Sequence, residues 1–250
     1  MTISIIIPAY NEAKGLGVTL QKLQEAIGVF AGKKYDWEII VCDNNSTDAT
    51  AELARQAGAK VVFEPINQIG RARNTGAMAA NGDWLFFLDA DSYPRPALMQ
   101  EILQIIEGGK HIGCGTTVEV QNGSWFNKLR MERLNFFFRL FKYCGGVFIA
   151  CERQAFVQAR GFSQELYAFE EFDFVRRLKR VGRREAKRFT ILYRSPIVTS
   201  GRKGELRPAN IFDIIYAHSM GLLLFLLYYL LPSSWFRRIN RPLKYWYAKR

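Results

Sequence analysis

Acidic side chains that could bind a metal ion follow a strongly apolar run in the first half of the chain. Residues 84–88 read Trp-Leu-Phe-Phe-Leu, and Asp89 and Asp91 come directly after them with one alanine between. Two carboxylates that leave a strand together can bind one divalent cation, because Mg²⁺ and Mn²⁺ prefer oxygen ligands. The same tripeptide could instead cap a helix that begins between Pro94 and Ala97.

A second acidic cluster, Glu170-Glu171-Phe172-Asp173, lies within the otherwise basic second half. A reaction in which a hydroxyl attacks needs a base to take its proton, and a carboxylate of this cluster could serve. The structural alternative is that Glu170 and Asp173 begin a helix running through residues 176–181, where their negative charge suits the helix dipole.

The elements that must position these groups follow from the hydrophobic pattern of the first half. Apolar runs at residues 3–7, 37–42, 60–63 and 84–88 alternate with helical stretches at residues 16–30, 49–57 and 72–80. This order predicts right-handed βαβ units on a parallel sheet covered on both faces. Ligands of such sheets bind beyond the carboxyl ends of the strands. Polar clusters stand at three of those ends: Tyr10-Asn11-Glu12, Asp43-Asn44-Asn45-Ser46 and Asp89-Ala90-Asp91.

Composition limits the class of protein. The chain has 250 residues and is 49% hydrophobic, which excludes disorder and a disulfide-stapled miniprotein. Its net charge of +12 is uneven, since residues 1–110 sum to −3 and residues 111–250 to +15. We therefore expect the second half to meet nucleic acid, a membrane surface or a phosphorylated substrate. The four cysteines form no CxxC pair, and their apolar neighbours favour buried, reduced thiols in a cytosolic setting.

The second half contains segments suited to a membrane interface. Residues 125–143 predict a helix that is core-packed or lies at a membrane or acceptor surface. Residues 211–231 form a mostly apolar stretch, and residues 235–250 hold six basic residues, five aromatics and no acid. No nucleic-acid motif accompanies this tail, so nucleic acid is not the expected partner. The helix at 125–143 would carry one polar stripe: Lys128, Glu132, Asn135, Arg139 and Lys142.

Five motifs in order resemble the inverting family 2 glycosyltransferases. They are SIIIPAYNE (4–12), VCDNNSTDAT (41–50), GRARNTG (70–76), GDWLFFLDADS (82–92) and the segment 145–177. The resemblance implies an α/β GT-A fold, with a Rossmann-like, mostly parallel sheet flanked by helices. It implies a catalytic domain at residues 1–205, made of a nucleotide-sugar-binding half (1–110) and an acceptor-binding half (111–205). Residues 206–250 would form a membrane-associating segment with an apolar helix and a basic aromatic tail.

The resemblance also implies roles for residues of the first half. Asp91 is similar to the metal-binding acid of the family's DxD motif, and Asp89 to the acid that contacts ribose or assists the metal, here Mg²⁺ or Mn²⁺. Arg71 could offer a forked donor to the nucleotide, or could be a solvated arginine. Ser46, Thr47 and Asp48 are expected to cap the helix after residue 49. The base and ribose pocket would be lined by Pro8, Tyr10, Glu12, Asp43 and Asn44.

Asn44 departs from the family pattern, because it stands where an acid often reads the base and thus leaves the base unidentified. Tyr10 could stack on a base or pack in a turn. In the second half, Glu171 takes the place of the general base, with Glu170 and Asp173 beside it. Arg202 is the candidate phosphate contact in a basic loop, with an ordinary surface arginine as the alternative.

The expected function is transfer of a sugar from a nucleotide-diphosphate donor to an acceptor, with a lipid-linked acceptor at the cytoplasmic face of the membrane as the first candidate. Re-entrant or in-plane attachment by residues 211–231 is favoured over a single span or a soluble core helix, because one simple span cannot place both the catalytic half and the basic tail in the cytosol. The alternatives are a catalytically silent nucleotide-sugar-binding protein and a nucleotidyltransferase on a similar fold.

Overall fold

A computed structural model describes residues 1–30 and 34–200 of the chain. Arg202, the apolar stretch 211–231 and the tail 235–250 therefore lie outside the described residues. The described elements, in chain order, are β1 (Thr2–Ala9), α1 (Leu16–Gly28), β2 (Asp36–Asp43), α2 (Thr50–Gln56), β3 (Lys60–Phe63), α3 (Ile69–Met78), β4 (Trp84–Leu88), β5 (Ser92–Tyr93), α4 (Pro96–Glu107), β6 (His111–Val120), α5 (Trp125–Phe141), β7 (Phe148–Glu152), α6 (Arg153–Gln158), α7 (Glu170–Arg184) and β8 (Arg188–Thr199).

One mixed sheet carries the described fold, in the order β3-β2-β1-β4-β7-β6-β8-β5. The parallel sheet predicted for the first half is confirmed, since β1 pairs in parallel with β2 and β4, and β2 with β3. The second half adds antiparallel pairings of β7 with β4 and β6, and of β5 with β8, while β6 and β8 are parallel. The structure is therefore an α/β fold whose sheet is more mixed than the sequence predicted.

The core lies on both faces of this sheet, which explains why its strands are apolar runs without polar alternation. On β1, Ile3, Ile5 and Ile7 pack into one hydrophobic cluster with α1 and α4. Ile6 points to the opposite face, into a second cluster built largely from β7, α6 and α7. Gly76 of α3 lies so close to this face that a Cβ would approach the Ile6 side chain to 2.5 Å. The absence of a side chain there lets α3 pack directly on β1.

One capping prediction is wrong, and the other holds only for Asp48. The Asp-Ala-Asp tripeptide does not cap the next helix, because strand β5 intervenes and α4 begins at Pro96 with Arg95 as its N-cap. Helix α2 has Ala49 as its N-cap, without a side-chain cap. Asp48 instead accepts hydrogen bonds from the backbone N–H of Thr50 at 3.0 Å and of Ala13 at 3.1 Å. Its carboxylate thus ties the loop after β2 to the loop after β1.

Helix α5 is anchored to the sheet by one amide side chain. Asn135 donates to the carbonyl of Val118 at 2.8 Å and accepts from the Val118 N–H at 2.9 Å. On this side of β6, β7 pairs only as far as Gly115, so the amide occupies backbone groups that no described strand pairs. The polar stripe predicted on this helix therefore includes at least one residue that faces inward.

All four cysteines are buried and unpaired, as the sequence predicted. Burial raises the pKa of the Cys42 and Cys114 thiols to about 12, so neither forms a thiolate near neutral pH. Over residues 1–30 and 34–200, no helix has both the length and the apolar character needed to cross a bilayer.

Candidate active site

The loops after β1 and β2 form one structure at the carboxyl edge of the sheet. Ala9 is in register with Asp43, and the Asn44 N–H donates to the Ala9 carbonyl at 2.8 Å. The Asn11 side chain accepts from the Thr47 N–H at 2.8 Å, and the Ser46 hydroxyl accepts from the Asn11 N–H at 3.0 Å. These cross-links hold two of the three predicted polar clusters side by side.

The predicted nucleotide-pocket residues of this edge occupy different depths. Pro8 is buried within β1, opposite Cys42, and Glu12 is buried with its N–H donating to the Thr50 hydroxyl at 2.8 Å. Tyr10 is partly exposed, so its ring can be reached from outside. Asp43 is buried and accepts from the Ser46 N–H at 2.9 Å. The structure brings these residues together at one edge, and their contacts to a nucleotide remain predictions.

The Asn44 side chain is used inside the protein. Its amide nitrogen donates to the carbonyls of Glu64 at 3.1 Å and Ile66 at 2.6 Å, and its oxygen accepts from the Gln68 N–H at 2.9 Å. Both amide protons and the carbonyl oxygen thus bind the loop between β3 and α3. An aspartate has no amide nitrogen and could not donate to the two carbonyls. The departure of Asn44 from the family pattern therefore has a structural reason.

Asp91 and Asp89 have different surroundings although they are two residues apart. Asp91 has hydroxyl neighbours, Ser92 at 3.2 Å and Ser200 at 3.4 Å, and no lysine or arginine pairs with it in residues 1–30 and 34–200. Asp89 pairs with Arg73 at 3.1 Å. Desolvation raises the pKa of Asp89 to about 6, an effect opposed by Arg73 and reinforced by Asp91.

A divalent cation fits Asp91 better than Asp89, because the Asp91 carboxylate has no competing cation among the described residues. The described part of the chain contains no group of three or more histidine, cysteine or acidic side chains that could hold a metal ion. A single carboxylate is nonetheless a common protein contribution to a Mg²⁺ site, where substrate phosphates and water complete the coordination.

Arg73 connects the two acidic clusters. Its guanidinium donates to Asp89 at 3.1 Å, to Glu170 at 2.9 Å and to the carbonyl of Gly146 at 2.9 Å. The side chain is buried, and Glu170 is buried with it. A forked, permanently charged donor suits this position, since it satisfies two carboxylates and one carbonyl from a single plane. The site predicted in two separate halves is thus joined by one arginine that the sequence reading assigned no such role.

The rest of α3 holds the loop that precedes α7. Asn74 exchanges hydrogen bonds with the backbone of Phe162, at 2.9 Å from its nitrogen and 2.8 Å to its oxygen. Gln68 donates to the carbonyls of Gln164 and Leu166, at 3.0 Å and 2.8 Å. The helix predicted at residues 72–80 begins earlier, at Ile69, and side chains of α3 and of its N-cap Gln68 fix the second half of the site.

Arg71 belongs to the same connection. It lies 3.2 Å from Glu64 and donates to the Gln164 side chain at 2.9 Å, with about a quarter of its side chain exposed. The alternative of a freely solvated arginine is therefore wrong. A nucleotide contact by its exposed part remains a prediction.

Helix α7 begins at Glu170 and presents Glu171 beside Arg73. Desolvation and the neighbouring Glu170 raise the pKa of the Glu171 carboxyl well above its usual range, and Arg73 opposes the effect. Asp173 instead pairs with Arg177 at 2.6 Å, one turn along the helix. The three acids therefore divide: Glu170 binds Arg73, Asp173 binds Arg177, and Glu171 has no ion pair within the described ranges.

A groove of about 730 Å³ opens between α5, β6 and β8. Its lining includes Val120 of β6, which is in register with Thr199 of β8. Thr199 pairs in turn with Ser92 of β5, and Ser92 directly follows Asp91. The groove therefore reaches the same edge of the sheet as the carboxylates. Its volume is typical of small-molecule sites. Its polar lining comes both from α5 and from the end of β6 and the residues after it: Lys128, Glu132, Asn135, Arg139, Thr117, Glu119, Gln121 and Asn122.

Residues 4–164 match the family model described as Glycosyl transferase family 2. The chain belongs to this family. This family 2 glycosyltransferase is 27% identical over 190 residues to an uncharacterized glycosyltransferase of Haemophilus influenzae, covering 70% of the chain and 61% of that protein. It is 28% identical over 141 residues to a dolichol-phosphate mannosyltransferase of Pyrococcus furiosus, covering 52% of the chain and 38% of that protein. The transferase thus spans less than two thirds of the length of these relatives.

Solved structures share the fold of this glycosyltransferase. S. aureus TarS residues 1–349 superpose with a TM-score of 0.61 at 17% identity, covering 89% of this chain and 66% of that one. Glucosyl-3-phosphoglycerate synthase from Mycobacterium tuberculosis, in complex with Mn²⁺, UDP and phosphoglyceric acid, gives 0.59 at 22% identity, covering 93% and 80%. At these identities the likeness establishes the fold, and the GT-A architecture expected from the motifs is confirmed for the described residues.

Proposed function

We propose that this glycosyltransferase moves a sugar, with inversion, from a nucleotide-diphosphate donor to an acceptor presented at the cytoplasmic face of a membrane. The observation that carries the proposal is the bridge from Asp89 through Arg73 to Glu170. It holds Asp89, two residues before the proposed metal ligand Asp91, and Glu170, directly before the proposed base Glu171, on one buried cation. Donor activation and acceptor deprotonation, which such a transfer needs together, would then take place around the same arginine.

On the donor side, Tyr10 and Asp43 would line the base and ribose beyond β1 and β2, and Asp91 would face the diphosphate. Mg²⁺ or Mn²⁺ held by Asp91 would supply Lewis-acid neutralisation of the diphosphate leaving group. Asp89, held in place by Arg73, keeps its carboxylate beside this position and can accept a ribose hydroxyl. Crystals of glucosyl-3-phosphoglycerate synthase contain Mn²⁺ or Mg²⁺ with UDP, which supports the same chemistry here.

On the acceptor side, Glu171 takes the proton of the attacking hydroxyl. A base of raised pKa holds that proton more strongly than an exposed carboxylate would, which favours the transfer. Glu170 and Arg73 position this group, because Glu170 precedes it at the start of α7 and is fixed by the guanidinium. Where the acceptor is a phosphate, no proton needs to be removed, and Glu171 would then orient the acceptor.

The groove between α5, β6 and β8 is the proposed acceptor site. Two relatives are named for lipid-phosphate acceptors: the Pyrococcus mannosyltransferase, and an undecaprenyl-phosphate 4-deoxy-4-formamido-L-arabinose transferase of Edwardsiella ictaluri, which is 29% identical over 141 residues. Lys128 and Arg139, which line the groove together with Glu132 and the Arg95-paired Glu119, could bind an anionic head group. We therefore propose a lipid-linked acceptor.

The proposal is tested with a panel of nucleotide sugars. Purified protein is incubated with each donor and Mn²⁺ or Mg²⁺, while donor hydrolysis and thermal unfolding are measured. At least one donor should raise the unfolding temperature in the presence of metal and be slowly hydrolysed, and EDTA should remove both effects. If no donor protects or is consumed, the protein is not a nucleotide-sugar transferase.

Replacing Glu171 with glutamine is expected to lower the transfer rate to a hydroxyl acceptor by about 10² to 10⁴, the usual contribution of a general base. The base works in its ionised form, so the wild-type rate should fall about tenfold per pH unit below its raised pKa. The glutamine variant should lose this dependence. Initial rates between pH 5 and 9 measure both effects.

Asp173→Asn is the matched control, because it removes a carboxylate from the same turn of α7 that is already paired with Arg177. It should retain the wild-type pH profile. An unchanged profile in Glu171→Gln, or an equal loss in both variants, would assign the base elsewhere.

A further inference from the structure

Helix α5 exposes an apolar face that the described fold does not cover. Trp125, Phe136 and Leu140 are 72%, 60% and 60% exposed, and Leu129 is 36% exposed. At 3.6 residues per turn, these four side chains fall within about 60° of the helix circumference. Asn127 and Phe138, on the opposite side of the helix, are buried. The apolar face is therefore a continuous stripe along 17 residues of helix and not a scatter of single exposed residues.

Cations border this stripe on both sides. Lys128 and Arg139 lie along one edge and Arg133 along the other, by the same helical arithmetic. Glu132, the single acid of α5, lies on the same edge as Lys128 and Arg139, whereas four residues of the helix are basic. An exposed apolar stripe with basic flanks and an aromatic residue at its end is the pattern of a helix that lies in a membrane interface.

We propose that α5 is a docking surface for an anionic lipid bilayer, with Trp125, Phe136 and Leu140 inserted at the level of the head groups. Charge complementarity selects this occupant over two others. A second copy of the chain would bring the same basic flanks against themselves. Residues 201–250 carry nine basic and two acidic side chains, so they too repel the flanks. Anionic lipid attracts them.

Docking of α5 would also orient the acceptor groove. Phe136 belongs both to the apolar stripe and to the groove lining, and Lys128 and Arg139 stand at the same border. A lipid-linked acceptor could then reach the groove from the bilayer without leaving it. The inference rests on the proposed membrane-surface acceptor, but lipid contact by α5 is measured without donor or transfer, so either proposal can fail alone.

The test places a fluorophore on the stripe of the full-length protein. Phe136→Cys is labelled with an environment-sensitive NBD group, and the four native cysteines are buried and left unlabelled. Met78→Cys on α3, where the native side chain is 78% exposed, is the matched control. With vesicles containing phosphatidylglycerol, NBD at 136 should shift to the blue and be quenched by doxyl-labelled lipid, whereas NBD at 78 should not respond.

A double variant that removes two positive charges completes the test. Lys128→Gln with Arg133→Gln should weaken vesicle partitioning about 25-fold, because each cation near an anionic surface contributes about fivefold. Lys22→Gln with Arg55→Gln removes the same charge from exposed sites elsewhere and should weaken it far less. Equal losses in the two pairs would overturn the proposal. An NBD signal at 136 that is already blue-shifted without lipid would also overturn it, because it would show that the chain itself or a second copy covers the stripe. So would an NBD signal that stays unquenched by doxyl-labelled lipid while the protein sediments with the vesicles.

Discussion

Replacing Asp91 with alanine is expected to reduce sugar transfer about a thousandfold and to abolish metal-dependent protection by the donor. Its carboxylate is the acidic group after β4 without a cationic partner in the described structure, whereas Asp89 is paired with Arg73. Loss of a cation at a diphosphate leaving group removes several kcal/mol of transition-state stabilisation. Rates with Mn²⁺ or Mg²⁺ and calorimetric donor binding measure the two effects.

Asp36→Ala provides the control for this variant, since Asp36 is an exposed carboxylate at the opposite end of β2. It should leave rate and metal dependence unchanged. The fold of Asp91→Ala should also survive, because the aspartate makes two weak hydroxyl contacts. Retention of metal-stimulated transfer by Asp91→Ala would refute the assignment of the metal site.

Replacing Arg73 with methionine is expected to destabilise the protein by about 3 to 5 kcal/mol, because it leaves the buried Glu170 and the partly buried Asp89 without their cation. Transfer should fall with it, since Asp89 and Glu170 would no longer be held in place. Arg73→Lys should recover part of the stability and less of the activity, because an ammonium cannot reproduce a forked donor. Denaturant unfolding at fixed pH measures the first effect, and initial rates measure the second.

The loss from Arg73→Met should depend on pH in a defined direction. Arg73 stabilises the ionised form of Asp89, whose pKa lies at about 6 in the folded protein. Its contribution is therefore present above that pH and fades as Asp89 becomes protonated. In EDTA, the destabilisation should be larger at pH 8 than at pH 5. Arg55→Met, on an exposed arginine of α2, should cost little at either pH. A small loss in Arg73→Met would show that the bridge is not structural.

The first half of the fold was predictable because its signals are local. The limits of β3 and β4 agree with the sequence to the residue, since both are short apolar runs bounded by polar or glycine residues. The start of α3 was misplaced by three residues, because Gly70 reads as a loop residue but packs against the Ser163 carbonyl from inside the helix. The antiparallel pairings of β5 and β7 left no comparable signal, because β5 is two residues long and β7 is buried among distant strands.

The candidate site was predictable in its acids and not in its connections. Asp89 and Asp91 stood out because they follow an apolar run directly, and Glu170 and Glu171 because they form an acidic cluster in an otherwise basic half. Arg73 did not, since the partners that define it lie 16, 73 and 97 residues away in the chain. The inward use of Asn44 was hidden for the same reason. What the motifs lacked was the distance information that only the folded chain supplies.

The amide of Asn135 has a consequence for solubility. Beyond Gly115, the outer edge of β6 would present free N–H and C=O groups, the kind of edge on which strands of other molecules add. By binding both the N–H and the C=O of Val118, Asn135 lets α5 block the addition of a strand at that position. Its neighbours on the helix can then meet other surfaces, while Val118 beneath offers no free backbone group to another strand.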